Sequence, residues 1–408
     1  MSDWREFRLE ELASPQRNAM ATGPFGSAIS SRHFVASGVP VIRGSNLSLN
    51  VGTRLIDEDL AFLEEAKAAE FERSVAKLGD LIFTCWGTIG QLGLVDRNAR
   101  YERYIVSNKQ MKMTPDPSRV DPLFLYYSLC TPEAVARVRN SSIGSSVPGF
   151  NLTQLRAMTV KCPSLSEQLA IASILGALDD KIAVNDRIAG KMDDLSTALF
   201  EEATTNCSKA SLASIATPVL GATPDRAIGH YWGGTVPWAS AKDVAHSSFG
   251  VVATTEERIT VAAAQKTRAK PVPPGSVVLT ARGTVGAVAR VIESSSFNQS
   301  CYAFIPGQIP PGVLFHMIRM ASEHMLSIAH GTVFSTVNMK TFSHVVVPFL
   351  TDSQLPALEV KLTPLHRGIE QRLLESMALR RMRDTLLPEL MSGRLRVREA
   401  EKVVEEAV

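Results

Sequence analysis

The feature that most constrains this chain is an internal duplication. Gly79-Asp-Leu-Ile-Phe-Thr-Cys-Trp-Gly-Thr-Ile-Gly90 reads against Gly275-Ser-Val-Val-Leu-Thr-Ala-Arg-Gly-Thr-Val-Gly286, at an offset of 196 residues. Upstream, Pro40-Val-Ile-Arg-Gly-Ser-Asn-Leu47 lines up with Pro237-Trp-Ala-Ser-Ala-Lys-Asp-Val244 at an offset of 197. Downstream, Asn151-Leu-Thr-Gln-Leu155 lines up with Asn338-Met-Lys-Thr-Phe342 at an offset of 187. The matches keep their order and the offset shrinks along the chain, as shorter loops in the second copy require. Solenoid and propeller repeats recur every ~20–50 residues, far less than these offsets. The repeated unit is therefore a whole domain with an appendage.

Each copy opens as mixed α+β. Leu81-Ile-Phe-Thr84 and Val277-Val-Leu-Thr280 are short apolar runs bounded by glycine, which predicts buried strands. Gly87-Thr-Ile-Gly90 and Gly283-Thr-Val-Gly286 turn the chain into second strands at Leu92–Val95 and Ala287–Val291. Residues 58–73 carry Glu, Ala, Lys and Phe at helical spacing. Further helices are expected near 121–139 and 312–329. Each copy closes on a long helix, about 166–204 and about 352–391. Leu175, Leu178, Ile182, Asn185, Ala189, Met192, Ser196 and Leu199 step by three and four, a heptad seam. Leu362, Leu365, Ile369, Arg372, Ser376, Leu379, Arg383 and Leu386 repeat it. Asn185 and Arg372 hold the same seam position, where a polar residue either fixes register or faces solvent.

The expected fold class is α+β: two similar α/β domains separated by a pair of long antiparallel, coiled-coil-like helices, in a pseudo-twofold tandem repeat. Residues 1–165 and 207–351 form the globular domains, 166–206 the central helix, and 352–408 the C-terminal helix and tail. The whole would be a dumbbell. Matching seams predict pairing between the two helices, and the return of the chain makes it antiparallel.

The 408 residues are 45% apolar and 21% charged, enough for two real cores. No run approaches the ~20 apolar residues of a membrane span. The N-terminus has no apolar h-region, so no signal peptide is expected and a cytoplasmic location follows. Cys85, Cys130, Cys162, Cys207 and Cys301 are scattered and odd in number, which argues against disulfides and structural zinc. The net charge of +2 argues mildly against nucleic acid, although only local charge matters to phosphates.

No catalytic machinery is legible. The chain has no P-loop, no G-x-G-x-x-G opening a helix, no H-E-x-x-H and no G-x-S-x-G. Asp121-Pro-Leu-Phe124 comes near the Asp-Pro-Pro-Phe motif of amino-methyltransferases. It lacks the second proline and reads better as a helix N-terminus. A duplicated enzyme should duplicate its acid, base or nucleophile. What is duplicated here is threonine, glycine, asparagine and apolar residues.

The ordered set, given twice, resembles the specificity subunit of type I restriction-modification systems. Its members are the Pro40 and Pro237 segments, the two glycine-bounded segments and Asn151-Leu-Thr-x-Leu155. Pro163-Ser-Leu-Ser-Glu-Gln-Leu-Ala-Ile-Ala172 and the long helix follow. Leu386-Leu-Pro-Glu-Leu-Met-Ser-Gly-Arg-Leu-Arg-Val397 resembles the family's closing segment. Gln354-Leu-Pro-Ala-Leu358 departs from the pattern, which leaves the start of the second helix open. The resemblance implies a non-catalytic subunit whose two target recognition domains each read one half of a bipartite site on double-stranded DNA. The helices would set the half-site spacing and dock two copies of a methyltransferase subunit carrying S-adenosylmethionine. This chain itself would bind no cofactor or metal. A motor-nuclease subunit can join such a complex. The alternative is a stand-alone DNA-binding or scaffold protein with dimerising helices. A helix of ~35 residues is ~50 Å long, of the order of the ~34–36 Å between half-sites read one turn apart.

Candidate DNA contacts are polar or basic residues in loops beside the apolar runs. In the first copy they are Arg43, Ser45, Asn46, Trp86, Thr88, Ser107, Lys109 and Ser145. In the second they are Lys242, Arg282, Thr284, Asn298, Gln299 and Ser335. Asn and Gln can pair bidentately with adenine, and Arg or Lys with guanine. Threonine hydroxyls and the amides beside Gly87 and Gly283 can hold phosphates. Ordinary loop capping and tight hairpins are the competing reading for all of these. Leu175, Leu178, Ile182, Leu362, Leu365 and Ile369 are the candidate partner-binding helix positions.

Overall fold

The structure is a computed structural model that describes residues 4–26, 28–141, 149–329, 337 and 339–405. It divides into two compact units, residues 1–181 with 379–408, and residues 182–378. Both cuts fall inside long helices, Leu165–Thr204 and Gln354–Met391.

Among its described residues, the first unit holds three sheets. A four-stranded antiparallel sheet runs in the order Met20–Thr22, Gln110–Met113, Leu81–Thr84, Leu92–Leu94. A five-stranded sheet runs Phe34–Val35, Ala61–Leu63, Val39–Ile42, Arg103–Val106, Val75–Lys77. Its one parallel pair joins Val41 to Ile105 and Ile42 to Val106. Arg5–Arg8 pairs antiparallel with Thr159–Cys162. Helices Pro122–Cys130 and Pro132–Ser141 follow the four-stranded sheet.

The second unit repeats this plan. Pro218–Leu220, Cys301–Phe304, Val277–Thr280 and Val288–Val291 lie in the same order as their counterparts, with Val251–Val252 added at the edge. Glu257–Ile259, Trp232–Ala239 and Ser296–Phe297 form a smaller sheet. Its parallel pair, Trp238 to Ser296 and Ala239 to Phe297, matches that of the first unit. Lys209–Ser211 pairs with Val346–Pro348 as Arg5–Arg8 does with Thr159–Cys162. The duplication is thus one of topology and register as well as of sequence.

Two expected helices came out differently. The 58–73 stretch forms strand Ala61–Leu63 and a five-residue helix, Glu65–Ala69. Phe62 and Leu63 pair with both Phe34–Val35 and Val39–Pro40, and this pairing overrides the helical spacing. The 121–139 helix is broken between Cys130 and Pro132. A proline disfavours the α conformation in the residue before it, and Thr131 adopts φ −62°, ψ 147°. The counterpart in the second unit, Pro311–Ala329, has no such break.

The long helices pack antiparallel within each unit. In the second, Ser376 Oγ donates to Asp186 and Met192 Sδ lies against Gly368. In the first, Arg383 pairs with Asp179 at 2.6 Å. Asp179 also accepts from Tyr127 Oη at 2.6 Å, and Arg54 links Asp96, Asp180 and Tyr127 around it. The second helix starts at Gln354, two residues later than its expected position. Pro356 is tolerated because first-turn N–H groups have no intrahelical acceptor.

Candidate nucleic-acid interface

Three loops chosen from the sequence converge at one end of the first unit. They follow the strands Val39–Ile42 and Leu81–Thr84, and connect Arg103–Val106 to Gln110–Met113. Backbone hydrogen bonds tie them together: Ser107 N donates to Ile42 O, Cys85 N to Lys109 O, and Phe150 N to Cys85 O, at 2.8–3.0 Å. Gly23 N donates to Gln110 O at 3.0 Å. The second unit makes the same four bonds. Asn298 N donates to Ala239 O, Ala281 N to Ser300 O, Val337 N to Ala281 O, and Gly221 N to Cys301 O. A Cβ at Gly23 would lie 1.8 Å from Ser107 O, and one at Gly221 2.1 Å from Asn298 O. These close approaches require glycine in both copies.

The scaffold is shared and the displayed chemistry is not. Trp86 stands half-exposed over Gly149, while its counterpart Arg282 is exposed and cationic. Ser45, Thr88 and Lys109 are exposed in the first unit, and Lys242, Thr284 and Gln299 in the second. Lys242 is held by Glu256 at 3.0 Å and Gln299 by the Thr223 hydroxyl. Asn298 is half-buried and its Oδ1 accepts from Ser300 N. Arg43 is half-buried, donating to Asp59 O at 2.8 Å with its guanidinium 5.9 Å over the Phe34 ring. Gly87 and Gly283 have φ of +96° and +77°. Their glycines therefore answer a hairpin's backbone requirement, whatever Thr88 and Thr284 contact.

Several candidates are corrected by burial. Asn46 is buried: its Oδ1 accepts from Arg43 N, and its amide donates to Ile56 O and Glu58 O. It ties a loop and has no edge left for a base. Asp243 does the same work in the second unit, accepting from Ser240 N and Glu256 N. Ser107 is buried and donates to Gln110 Oε1. The spacing Arg43-x-x-Asn46 and Ser240-x-x-Asp243 is a capping-box spacing, a signal the strand-end reading passed over. Ser145 and Ser335 lie outside the described residues, as does Asn338. Asp121 caps Pro122–Cys130, its Oδ1 accepting from Phe124 N at 2.8 Å.

The helix positions are corrected likewise. Leu175, Leu178, Ile182, Leu362 and Ile369 are buried and Leu365 is half-buried. Leu362 packs with Phe200, Val313 and Leu358, and Ile369 with Ala189 and Val251. Leu362 and Ile369 are thus occupied inside the second unit, and none of the six is exposed. The large apolar side chains the two long helices expose are Leu169, Val184, Leu195, Val360 and Leu374. Of the seam pair, Asn185 is buried with an unpaired amide, while Arg372 is partly exposed and paired with Glu375.

Two duplicated α/β units, each presenting a pinned cluster of polar and basic loops at one end, define a two-site recognition protein. The chain belongs to the family described as the type I restriction modification DNA specificity domain, which it matches over residues 1–191 and 208–351. It is 27% identical over 167 residues to the type I restriction enzyme MjaIX specificity subunit of Methanocaldococcus jannaschii, a match spanning 39% of each chain. It is 20% identical to the HindI specificity subunit of Haemophilus influenzae over 97% of this chain and 100% of that one. Its fold is similar to the crystal structure of the type I restriction-modification S subunit from M. genitalium, with a TM-score of 0.63 and 14% identity over 95% and 96% of the two chains.

Proposed function

We propose that this chain is the sequence-specific DNA-recognition subunit of a type I restriction-modification complex. Each unit's loop end reads one half of a bipartite target. The long helices set the spacing between half-sites and dock methyltransferase subunits, two copies in the full complex, with a motor-nuclease subunit able to join. The chemistry and S-adenosylmethionine belong to the methyltransferase, and the complex works in the cytoplasm. Among the described residues, no helix is long and apolar enough to cross a membrane.

One observation carries this reading. The loop ends of the two units are pinned by the same four backbone hydrogen bonds yet display different side chains. A repeated frame with unlike surfaces is what reading two different half-sites demands. The residues proposed to meet DNA are Arg43, Ser45, Trp86, Thr88 and Lys109 in the first unit, and Lys242, Arg282, Thr284, Asn298 and Gln299 in the second. Methylome sequencing of a host with and without the gene tests it. One bipartite methylated motif should appear with the gene and vanish without it. Tight binding to a single bipartite sequence by the purified chain alone, with no methyltransferase co-purifying, would overturn the subunit reading.

A further inference from the structure

The loop Gly23–Gly26 completes the loop end of the first unit and displays Phe25 from it. Phe25 is 74% exposed, more than Trp86 at 50%. A phenylalanine ring displayed at a surface that meets DNA has an apolar base group, the thymine methyl, that it can cover. The loop is fixed on both sides of it: Gly23 N donates to Gln110 O, and Asn108 Nδ2 donates to Gly26 O at 3.0 Å. The Arg73 guanidinium stands 5.7 Å over the ring. Its neighbour Ser74 is buried, with its Oγ donating to Thr22 O at 3.2 Å, which holds Arg73 beside the loop. The second unit differs here. Gly221 matches Gly23, and two residues on stands Thr223, whose hydroxyl donates to Gln299.

We propose that Phe25 is a specificity-determining residue that reads a thymine, setting its ring against the C5-methyl group in the major groove. The inference rests on the DNA-recognition reading above. Thymine is the base whose major-groove edge carries a methyl, and apolar side chains discriminate it by burying that group. The alternative use of an exposed phenylalanine is as a wedge between base steps, which stacks both ring faces. Arg73 covers one face, leaving the edge and the other face free. The guanidinium, held by the ring quadrupole, is then placed for a backbone phosphate. Thr223 has no ring and its hydroxyl is bound to Gln299, so the ring contact belongs to the first unit's half-site only.

The test uses the full chain assembled with its methyltransferase subunits, on duplexes of the methylated motif. Each thymine of both half-sites is replaced in turn by deoxyuridine, which deletes only the methyl, and competition binding is measured at fixed salt. At one thymine the wild-type complex should bind the deoxyuridine duplex about fourfold more weakly, the value of one buried methyl-sized group. Phe25→Ala should lose at least about that factor on the thymine duplex and become indifferent to the methyl at that position. Phe25→Leu, which keeps an apolar contact, should retain part of the penalty. The idea is overturned if Phe25→Ala keeps every deoxyuridine penalty of the wild type, or if no thymine in either half-site carries one. A wild-type complex that does not distinguish its motif from a scrambled duplex overturns the DNA-recognition reading itself, and this contact with it.

Discussion

Asp80 and Ser276 occupy the same position in the two copies with different chemistry. Asp80 accepts from Lys112 Nζ at 3.2 Å and from Lys77 N at 3.0 Å, and both charged side chains are buried. Ser276 is fully buried with its hydroxyl unpaired, and Ala303 stands where the first unit has Lys112. The carboxylate and the ammonium are therefore present together or absent together, because one alone is a buried charge without a partner. Lys112→Met should cost about 3 kcal/mol of stability in urea unfolding. Asp80→Ser combined with Lys112→Ala, the second unit's own pairing, should cost less than Lys112→Met alone. Simple additivity of the single costs would sink this account. The same scale shows why candidate contacts were only partly legible. Thr88, Lys109 and Arg282 are exposed as a loop position suggests. Asn46 is not, because carbonyls ten and twelve residues further on reach back to it, and no local pattern announces that.

Among elements, the most legible were those whose signal is local. Leu81–Thr84 and Val277–Thr280 have the bounds expected from their flanking glycines, and the long helices follow their heptads. The 58–73 stretch was misread because its strand exists only through pairing with distant residues. The contact between Pro311–Ala329 and the second long helix was also invisible in sequence, and it buries two histidines. His316 and His366 stack with ring centroids 5.2 Å apart and their Nε2 atoms at 3.2 Å, a separation that lets one neutral ring donate to the other. Burial holds both well below the ordinary histidine range, helped for His316 by Arg319 and Arg290, and for His366 by Arg290 and His316. The native rings stay neutral while those of the unfolded chain gain protons below about pH 6.5. This contribution to stability is therefore complete above about pH 6.5 and is lost as pH falls towards the depressed native values. The combined slope approaches about 2.7 kcal/mol per pH unit. Melting midpoints compared between pH 8 and pH 5 should fall steeply for the wild type and less for His316→Phe. Equal falls would show that the pair does not drive the acid sensitivity.

At the scale of the whole molecule, duplication separates what must be constant from what is free to vary. The order of the shared strands, the parallel pairs Val41–Ile105 and Trp238–Ser296, and the four loop-pinning bonds are constant. Trp86 against Arg282, and Phe25 against Thr223, vary. Both long helices run through both units, and the cuts between units fall after Lys181 and after Ala378. If the helices set half-site spacing, their length at those cuts is the variable that controls it. One heptad inserted after Lys181 and another after Ala378 keep the a/d frame within about 20°. Seven residues add ~10.5 Å at ~1.5 Å per residue. At ~3.4 Å per base pair, that is about three base pairs. Methylome sequencing of a host carrying this variant should return both half-sites unchanged in sequence and a spacer about three base pairs longer. An unchanged spacer with full methylation would mean that something other than the helices measures the distance. Altered half-sites would mean that the loop ends depend on helix length, contrary to the independence that two separately pinned ends require.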